Sequence, residues 1–133
     1  MKRFHLIYGF VLVIVFLLTG QYMDRFQHHL HEMADGPRML YRSRHIYILL
    51  TGLLHLGIGT YFVDRVQPKQ RLVQLVGSLI LTVAPILFLF GFFKEPLLTE
   101  LNSPFSTKGI YLVTAGVVLH WLSGINDGNT RKA

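Results

Sequence analysis

Four long apolar runs, separated by polar segments, set the pattern of this chain. The runs cover about residues 4–22, 46–63, 72–93 and 109–125, and none has Asp, Glu, Lys or Arg in its interior. A helix needs roughly 20 residues to cross a bilayer, and in a helix every backbone amide is paired without water. The pattern therefore predicts an all-α integral membrane protein, a four-helix bundle.

The connections predict how the four helices are arranged. A short turn at 64–71 joins the second span to the third, whereas a polar loop at 23–45 joins the first span to the second. The plan is two tandem helical hairpins in a single membrane domain of residues 1–133, with helices 2 and 4 parallel. We expect the first helix to continue beyond the membrane until Gly36 and Pro37 end it.

Two segments share one pattern and lead into the second and fourth spans. The pattern is YRSRHIY at residues 41–47 and FSTKGIY at residues 105–111. We expect Ser43 and Thr107 to be the N-caps of the two helices, and Arg44 to reach out to lipid phosphates. The match predicts an internal duplication.

Each of these two spans carries a histidine near its middle, His55 in the second and His120 in the fourth. At 1.5 Å rise per residue, both lie roughly 15 Å below the same membrane surface. Ionisable side chains at that depth face the bundle interior and mark candidate functional sites. His5, at the opposite membrane edge, is expected to be interfacial. Glycines lie about one turn to either side of the two deep histidines: Gly52, Gly59, Gly116 and Gly124.

Two physical accounts fit glycines beside buried histidines. Glycine faces let helices approach closely, and the histidines are then interhelical hydrogen-bond partners worth about 1 kcal/mol each. Alternatively, glycine leaves room for a flat macrocycle, and His55 and His120 supply both axial nitrogens to the iron of haem b or bind another metal. This arrangement is similar to the bis-histidine sites of b-type membrane cytochromes. In that interpretation Arg38 or Arg42 binds the haem propionates, because guanidinium pairs with carboxylate through two hydrogen bonds.

The polar loop offers a second candidate site, for copper or zinc. Its metal ligands would be His28, His31 and His45. On a helix His28 and His31 are three residues apart, a spacing that can place two imidazoles on one ion. The alternative is a solvated ion-pair seam, in which acidic side chains of the loop face Arg38 and Arg42.

Pro85 lies inside the third span and lacks a backbone N–H. It removes one helical hydrogen bond and is expected to bend the helix. Thr82, three residues earlier, can satisfy a freed carbonyl.

Composition excludes several kinds of chemistry. The formal net charge is +6 and there is no cysteine, so disulfides, iron–sulfur clusters and cysteine zinc sites are excluded. The basic residues lie among the membrane ends, where they anchor to anionic lipid, and nucleic acid is not an expected partner. No phosphate-binding loop or Ser-His-Asp set is visible, which leans against an enzyme.

The balance of basic residues gives an orientation. Seven lie on the side of both termini and six on the other side, a difference of one that slightly favours both termini in the cytoplasm. The sequence thus predicts a multi-pass membrane protein, in contact with the bilayer, for membrane-associated redox or haem handling. One alternative is a non-catalytic structural or assembly subunit of a larger membrane complex or a homodimer. Another is copper or zinc handling at the loop 24–45.

Overall fold

The computed structural model describes residues 1–26, 30–98 and 102–125, and it is all-helical there, as the apolar runs predict. The four helices are α1 at Lys2–Phe26, α2 at Asp35–Thr60, α3 at Pro68–Lys94 and α4 at Pro104–Ile125. A short 3-10 turn at Glu95–Leu97 follows α3 directly.

Three of these helices are long and apolar enough to cross a membrane: α1, α3 with its 3-10 turn, and α4. This supports a multi-pass membrane protein. The helix α2 is different because residues 35–45 include one aspartate and three arginines. They leave the apolar stretch 46–60, about 22 Å long, against about 30 Å of hydrocarbon in a bilayer.

The connection between α1 and α2 differs from its prediction. The helix α2 begins at Asp35, so Gly36 and Pro37 lie in its first turn and do not end the preceding helix. Proline is tolerated in the first turn because the first N–H groups of a helix have no helical partner. Leu30 interrupts the predicted extension of α1, since its φ of 62° is left-handed and its side chain is buried in the core.

Ser43 and Thr107 are not helix caps, because α2 and α4 begin several residues before them. The Ser43 hydroxyl donates to the carbonyls of Met39 and Leu40 inside α2. The Thr107 N–H donates to the Ser103 carbonyl, as a residue in the first turn of α4 does. The two repeated segments are therefore interior helix segments.

Glycines mark the places where helices approach each other most closely. A Cβ on Gly9 of α1 would lie 2.8 Å from the Gly52 carbonyl oxygen of α2. A Cβ on Gly77 of α3 would lie 3.2 Å from the Gly116 carbonyl oxygen of α4. In lipid such contacts stabilise a bundle through close packing, because the surrounding tails are as apolar as leucine. The main buried cluster contains Leu30, Tyr41, Ile48, Ala84, Phe88 and Phe92.

Candidate functional site

Three histidines from three helices meet inside the bundle: His5 of α1, His55 of α2 and His120 of α4. The Nδ1 atom of His5 lies 2.8 Å from Nδ1 of His55, and its Nε2 atom lies 3.0 Å from the Ser78 hydroxyl oxygen. The same oxygen lies 2.9 Å from Nε2 of His120. These four side chains form a continuous hydrogen-bonded row, which we call the histidine chain.

The histidine chain lies towards the end of the bundle where α1 begins and α2 and α4 end. His5 is fully buried and His55 is 1% exposed, whereas His120 is partly exposed. A buried row of polar side chains costs free energy unless each group has a partner. Here the partners come from four different helices, so the row also ties the bundle together.

Pro85 determines one end of the histidine chain. Because it has no N–H, the Leu81 carbonyl four residues earlier has no helical partner. Nε2 of His55 lies 3.2 Å from that carbonyl oxygen and can donate to it. The next carbonyl, of Thr82, accepts a hydrogen bond from the Tyr8 hydroxyl at 2.9 Å. The hydroxyl of Thr82 itself donates one turn back along α3. The carbonyl groups of α3 next to Pro85 therefore receive their hydrogen bonds from side chains of α1 and α2.

The Leu81 carbonyl also determines where the protons of the chain lie. A carbonyl only accepts, so His55 donates from Nε2 and, when neutral, accepts at Nδ1. His5 therefore donates from Nδ1 to His55 and accepts at Nε2 from the Ser78 hydroxyl. The Ser78 oxygen in turn accepts from Nε2 of His120. Every hydrogen bond within the chain is thus formed by neutral imidazoles, with each donated proton pointing towards Leu81.

The predicted haem ligands His55 and His120 both belong to the histidine chain, but His5 and Ser78 lie between them in it. The ring centroid of His5 is 4.9 Å from that of His55 and 5.8 Å from that of His120. As arranged, these residues do not fit a macrocycle between the two predicted ligands. Within residues 1–26, 30–98 and 102–125, no three His, Cys, Asp or Glu side chains could hold a metal ion together.

The four glycines predicted to border a cofactor face neighbouring side chains. A Cβ added to Gly52 would lie 3.2 Å from the side chain of Leu12, and one added to Gly59 would lie 2.8 Å from that of Leu6. A Cβ on Gly116 would lie 2.5 Å from the side chain of Leu81, and one on Gly124 would lie 2.8 Å from the Arg65 guanidinium. For Gly52, Gly59 and Gly116 this is the close helix approach of the first account, in which glycine serves packing, whereas Gly124 faces the connection between α2 and α3.

Arg38 and Arg42, the predicted propionate ligands, belong to the other end of α2. Arg38 donates to the carbonyls of Leu30 and Met33 at 3.1 and 2.6 Å, and its guanidinium lies 3.3 Å from the Asp35 carboxylate. It therefore holds the connection between α1 and α2. Arg42 is exposed on the same helix segment, about 20 Å along α2 from the histidine chain.

The predicted metal ligands of the polar loop have different surroundings. His28 lies outside the described residues. The ring of His45 stacks on Phe16 with centroids 4.0 Å apart, and its Nδ1 atom lies 2.9 Å from the Thr19 hydroxyl oxygen. His31 lines a surface cavity of about 330 Å³. His45 therefore packs against α1, whereas His31 borders a surface cavity.

A second buried polar cluster, which no pattern in the sequence predicts, joins α2, α3 and α4. Glu95 is fully buried, and its Oε2 atom lies 2.6 Å from Nε of Arg44. Its Oε1 atom accepts from the backbone N–H groups of Phe105 and Ser106, each at 2.8 Å. A carboxylate is favoured there because the first N–H groups of a helix carry partial positive charge. Arg44 thus pairs with Glu95, and the prediction that it reaches lipid phosphate was wrong.

His5 was expected to be interfacial, and this prediction was wrong, because its ring is fully buried at the centre of the histidine chain. The sequence held a signal for it. Gly9 follows His5 by four residues, the same spacing that Gly59 and Gly124 have to their histidines. Comparison with known protein families, with curated proteins and with solved structures finds no match for this chain.

Proposed function

We propose that this is a small redox-associated membrane protein whose histidine chain holds a proton and exchanges it with a partner molecule. The observation that carries the proposal is the continuous row of hydrogen bonds, 2.8 to 3.0 Å long, through His55, His5, Ser78 and His120. Histidines buried among membrane helices are characteristic of proton relays. Each neutral imidazole has one donor and one acceptor nitrogen, so it can receive a proton on one side and release one on the other.

The order of the hydrogen bonds gives the chain a direction. A proton that binds Nδ1 of His120 releases the Nε2 proton to Ser78, whose own proton moves to Nε2 of His5. The Nδ1 proton of His5 then moves to His55, which carries the positive charge with its Nε2–H still on the Leu81 carbonyl. Because that carbonyl cannot pass a proton on, the chain acts as a proton store with one entrance.

The experiment that tests the proposal is Ser78→Ala, followed by NMR of the full chain with ¹⁵N-labelled histidine. In the wild-type protein the ring ¹⁵N signals of His55 and His120 should shift as the pH is lowered, and both shifts should have their midpoint at the same pH. The reason is that one proton is shared along the row. In Ser78→Ala the response of His55 should no longer follow that of His120.

Ser123→Ala is the matched control for this experiment. Ser123 is also a buried serine, but its hydroxyl donates to the backbone carbonyl of His120 within α4. This variant should keep the common midpoint. Independent responses of His55 and His120 in the wild-type protein would contradict the proposal.

Haem b binding by His55 and His120 stays a prediction of the sequence, and it requires a rearrangement. The rings come from different helices and converge on one buried cluster, which favours it, but His5 and Ser78 would have to move aside. After haem supplementation, the purified protein should show a Soret band and, on reduction, split α and β bands. A colourless preparation would exclude this function.

We also propose that α2 crosses the membrane as a fourth span, so that two tandem hairpins form a bundle with α2 and α4 parallel. The charge of Arg44 lowers the hydropathy of α2, but this guanidinium is buried against Glu95 and does not meet lipid. Successive helices run in opposite directions, because in each pair of helices the earlier residue of one contacts the later residue of the other. The contacts are Leu6–Gly59 and Gly20–His45 between α1 and α2, Tyr47–Phe88 and His55–Leu81 between α2 and α3, and Gly77–Gly116 and Gly91–Ser106 between α3 and α4.

Both termini then lie on one side, for which the balance of basic residues suggests the cytoplasm.

A further inference from the structure

A cavity of about 290 Å³ opens beside His120, at the end of the bundle where α2 turns into α3. The residues of its wall that matter here are Gly57, Tyr61, Phe62, Arg65, Gln74 and His120. Of the histidine chain only His120 lines this cavity, because His5 and His55 are buried behind it. The cavity therefore lies at the entrance of the proton store.

We propose that this cavity binds the ring of a membrane-soluble quinone, with a ring oxygen beside His120. The inference rests on the proposed function, and it names the class of molecule with which His120 exchanges its proton.

The size and walls of the cavity fit a flat head group whose tail stays in the bilayer. Its volume is at the low end of the range of ligand pockets, about 300 to 1,000 Å³, so it suits a single ring. Gly57 forms an open part of the wall, since no atom lies within 4 Å of a Cβ placed there. Tyr61 and Phe62 add aromatic surface that can pack against a ring.

The polar groups of the cavity suit an oxygen that takes up and releases a proton. Arg65 and Gln74, whose side chains carry N–H donors, line the wall, and the Gln74 amide is held in place by donating to the Val63 carbonyl at 2.9 Å. His120 adds an imidazole whose Nδ1 is the entrance of the chain. A phospholipid phosphate would use the donors but has no need of the proton store. A quinone becomes a quinol by taking up two electrons and two protons, and both protons end on its ring oxygens. The histidine chain would hold one of these protons, water would supply or take the other, and a separate electron-transfer protein of the membrane would exchange the two electrons.

The test is Gly57→Phe, which should fill the cavity while leaving the helix contacts intact, because nothing lies within 4 Å of the new Cβ. Trp121 is the single tryptophan of the chain and follows His120 in α4, so a quinone bound beside His120 would lie close enough to quench its fluorescence, although Trp121 itself does not line the cavity. Titrating decyl-benzoquinone into the detergent-solubilised full chain should give saturable quenching. In Gly57→Phe the apparent dissociation constant should rise at least about tenfold, which corresponds to about 1.4 kcal/mol.

Leu50→Phe is the matched control, since it adds the same aromatic ring to an exposed position two turns away on α2. It should saturate as the wild-type protein does. Quenching that is linear and equal in wild type and Gly57→Phe would mean simple partition into detergent and would overturn the inference. Displacement of the quinone by short-chain phosphatidylglycerol would also overturn it, by assigning the cavity to lipid phosphate.

Quinone binding and proton storage can fail separately. Saturable quenching without a common midpoint of His55 and His120 would remove the proposed function and keep the quinone site. A common midpoint without saturable quenching would keep the proton store and remove the quinone site.

Discussion

His5 shows how a single residue can set the properties of a buried network. It must donate from Nδ1 to His55 and accept at Nε2 from Ser78, because the Leu81 carbonyl fixes the direction of every bond. We therefore predict that His5 carries its proton on Nδ1, whereas His55 and His120 carry theirs on Nε2. NMR of ¹⁵N-labelled rings at neutral pH distinguishes the protonated from the unprotonated nitrogen of each histidine.

The prediction for His5 has an internal control in His45. This histidine is also packed between helices, but it bonds to the Thr19 hydroxyl and stacks on Phe16, apart from the histidine chain. Ser78→Ala should change the Nε2 signal of His5 and leave the signals of His45 unchanged. A proton on Nε2 of His5 in the wild-type protein would contradict the proposed bond order.

At the scale of the helices, Glu95 is the residue that holds three of them together. It pairs with Arg44 of α2, ends α3 and accepts the first N–H groups of α4. Glu95→Ala leaves a buried guanidinium without its partner, a change that costs about 3–5 kcal/mol of unfolding free energy. Denaturant unfolding in detergent, followed by circular dichroism, would measure the loss.

Asp35→Ala is the matched control for Glu95→Ala. Asp35 also faces an arginine, Arg38, at 3.3 Å, but its side chain is 99% exposed. Exposed ion pairs contribute little to stability, so this variant should have the same free energy of unfolding as the wild-type protein. The double variant Arg44→Met/Glu95→Leu should recover much of the stability, because it removes both buried charges together. Equal stability of Glu95→Ala and Asp35→Ala would show that the cluster does not hold the helices.

At the scale of the whole molecule, the number of crossings is decided by whether α2 spans the bilayer. The chain has no native cysteine, so single cysteines report on one position each. With four crossings and cytoplasmic termini, Arg3→Cys and Lys69→Cys should be protected from an impermeant maleimide in intact cells, and Lys108→Cys should be labelled. If α2 does not cross, positions 3 and 69 lie on opposite sides and only one of them is protected.

The sequence determined the helices and two members of the site. Apolar runs free of charge predict helices because each backbone amide must be paired locally in lipid, which is a property of one segment at a time. His55 and His120 are candidate site residues for a related reason. An ionisable side chain within an apolar run costs free energy unless it has a hydrogen-bond partner among the packed helices. The first turns of α2 were missed because the buried Arg44 looks like a surface residue in the sequence.

Only the tertiary structure decided the partners. His5 joins His55 across fifty positions and Ser78 across seventy-three, and Glu95 meets Arg44 across fifty-one. It also decided that the glycines beside the deep histidines face neighbouring side chains, whereas Gly57 faces an open cavity. The physical reason is that hydropathy acts along the chain, residue by residue, whereas a buried polar group is stabilised by whichever donor or acceptor the packing of other helices brings to it.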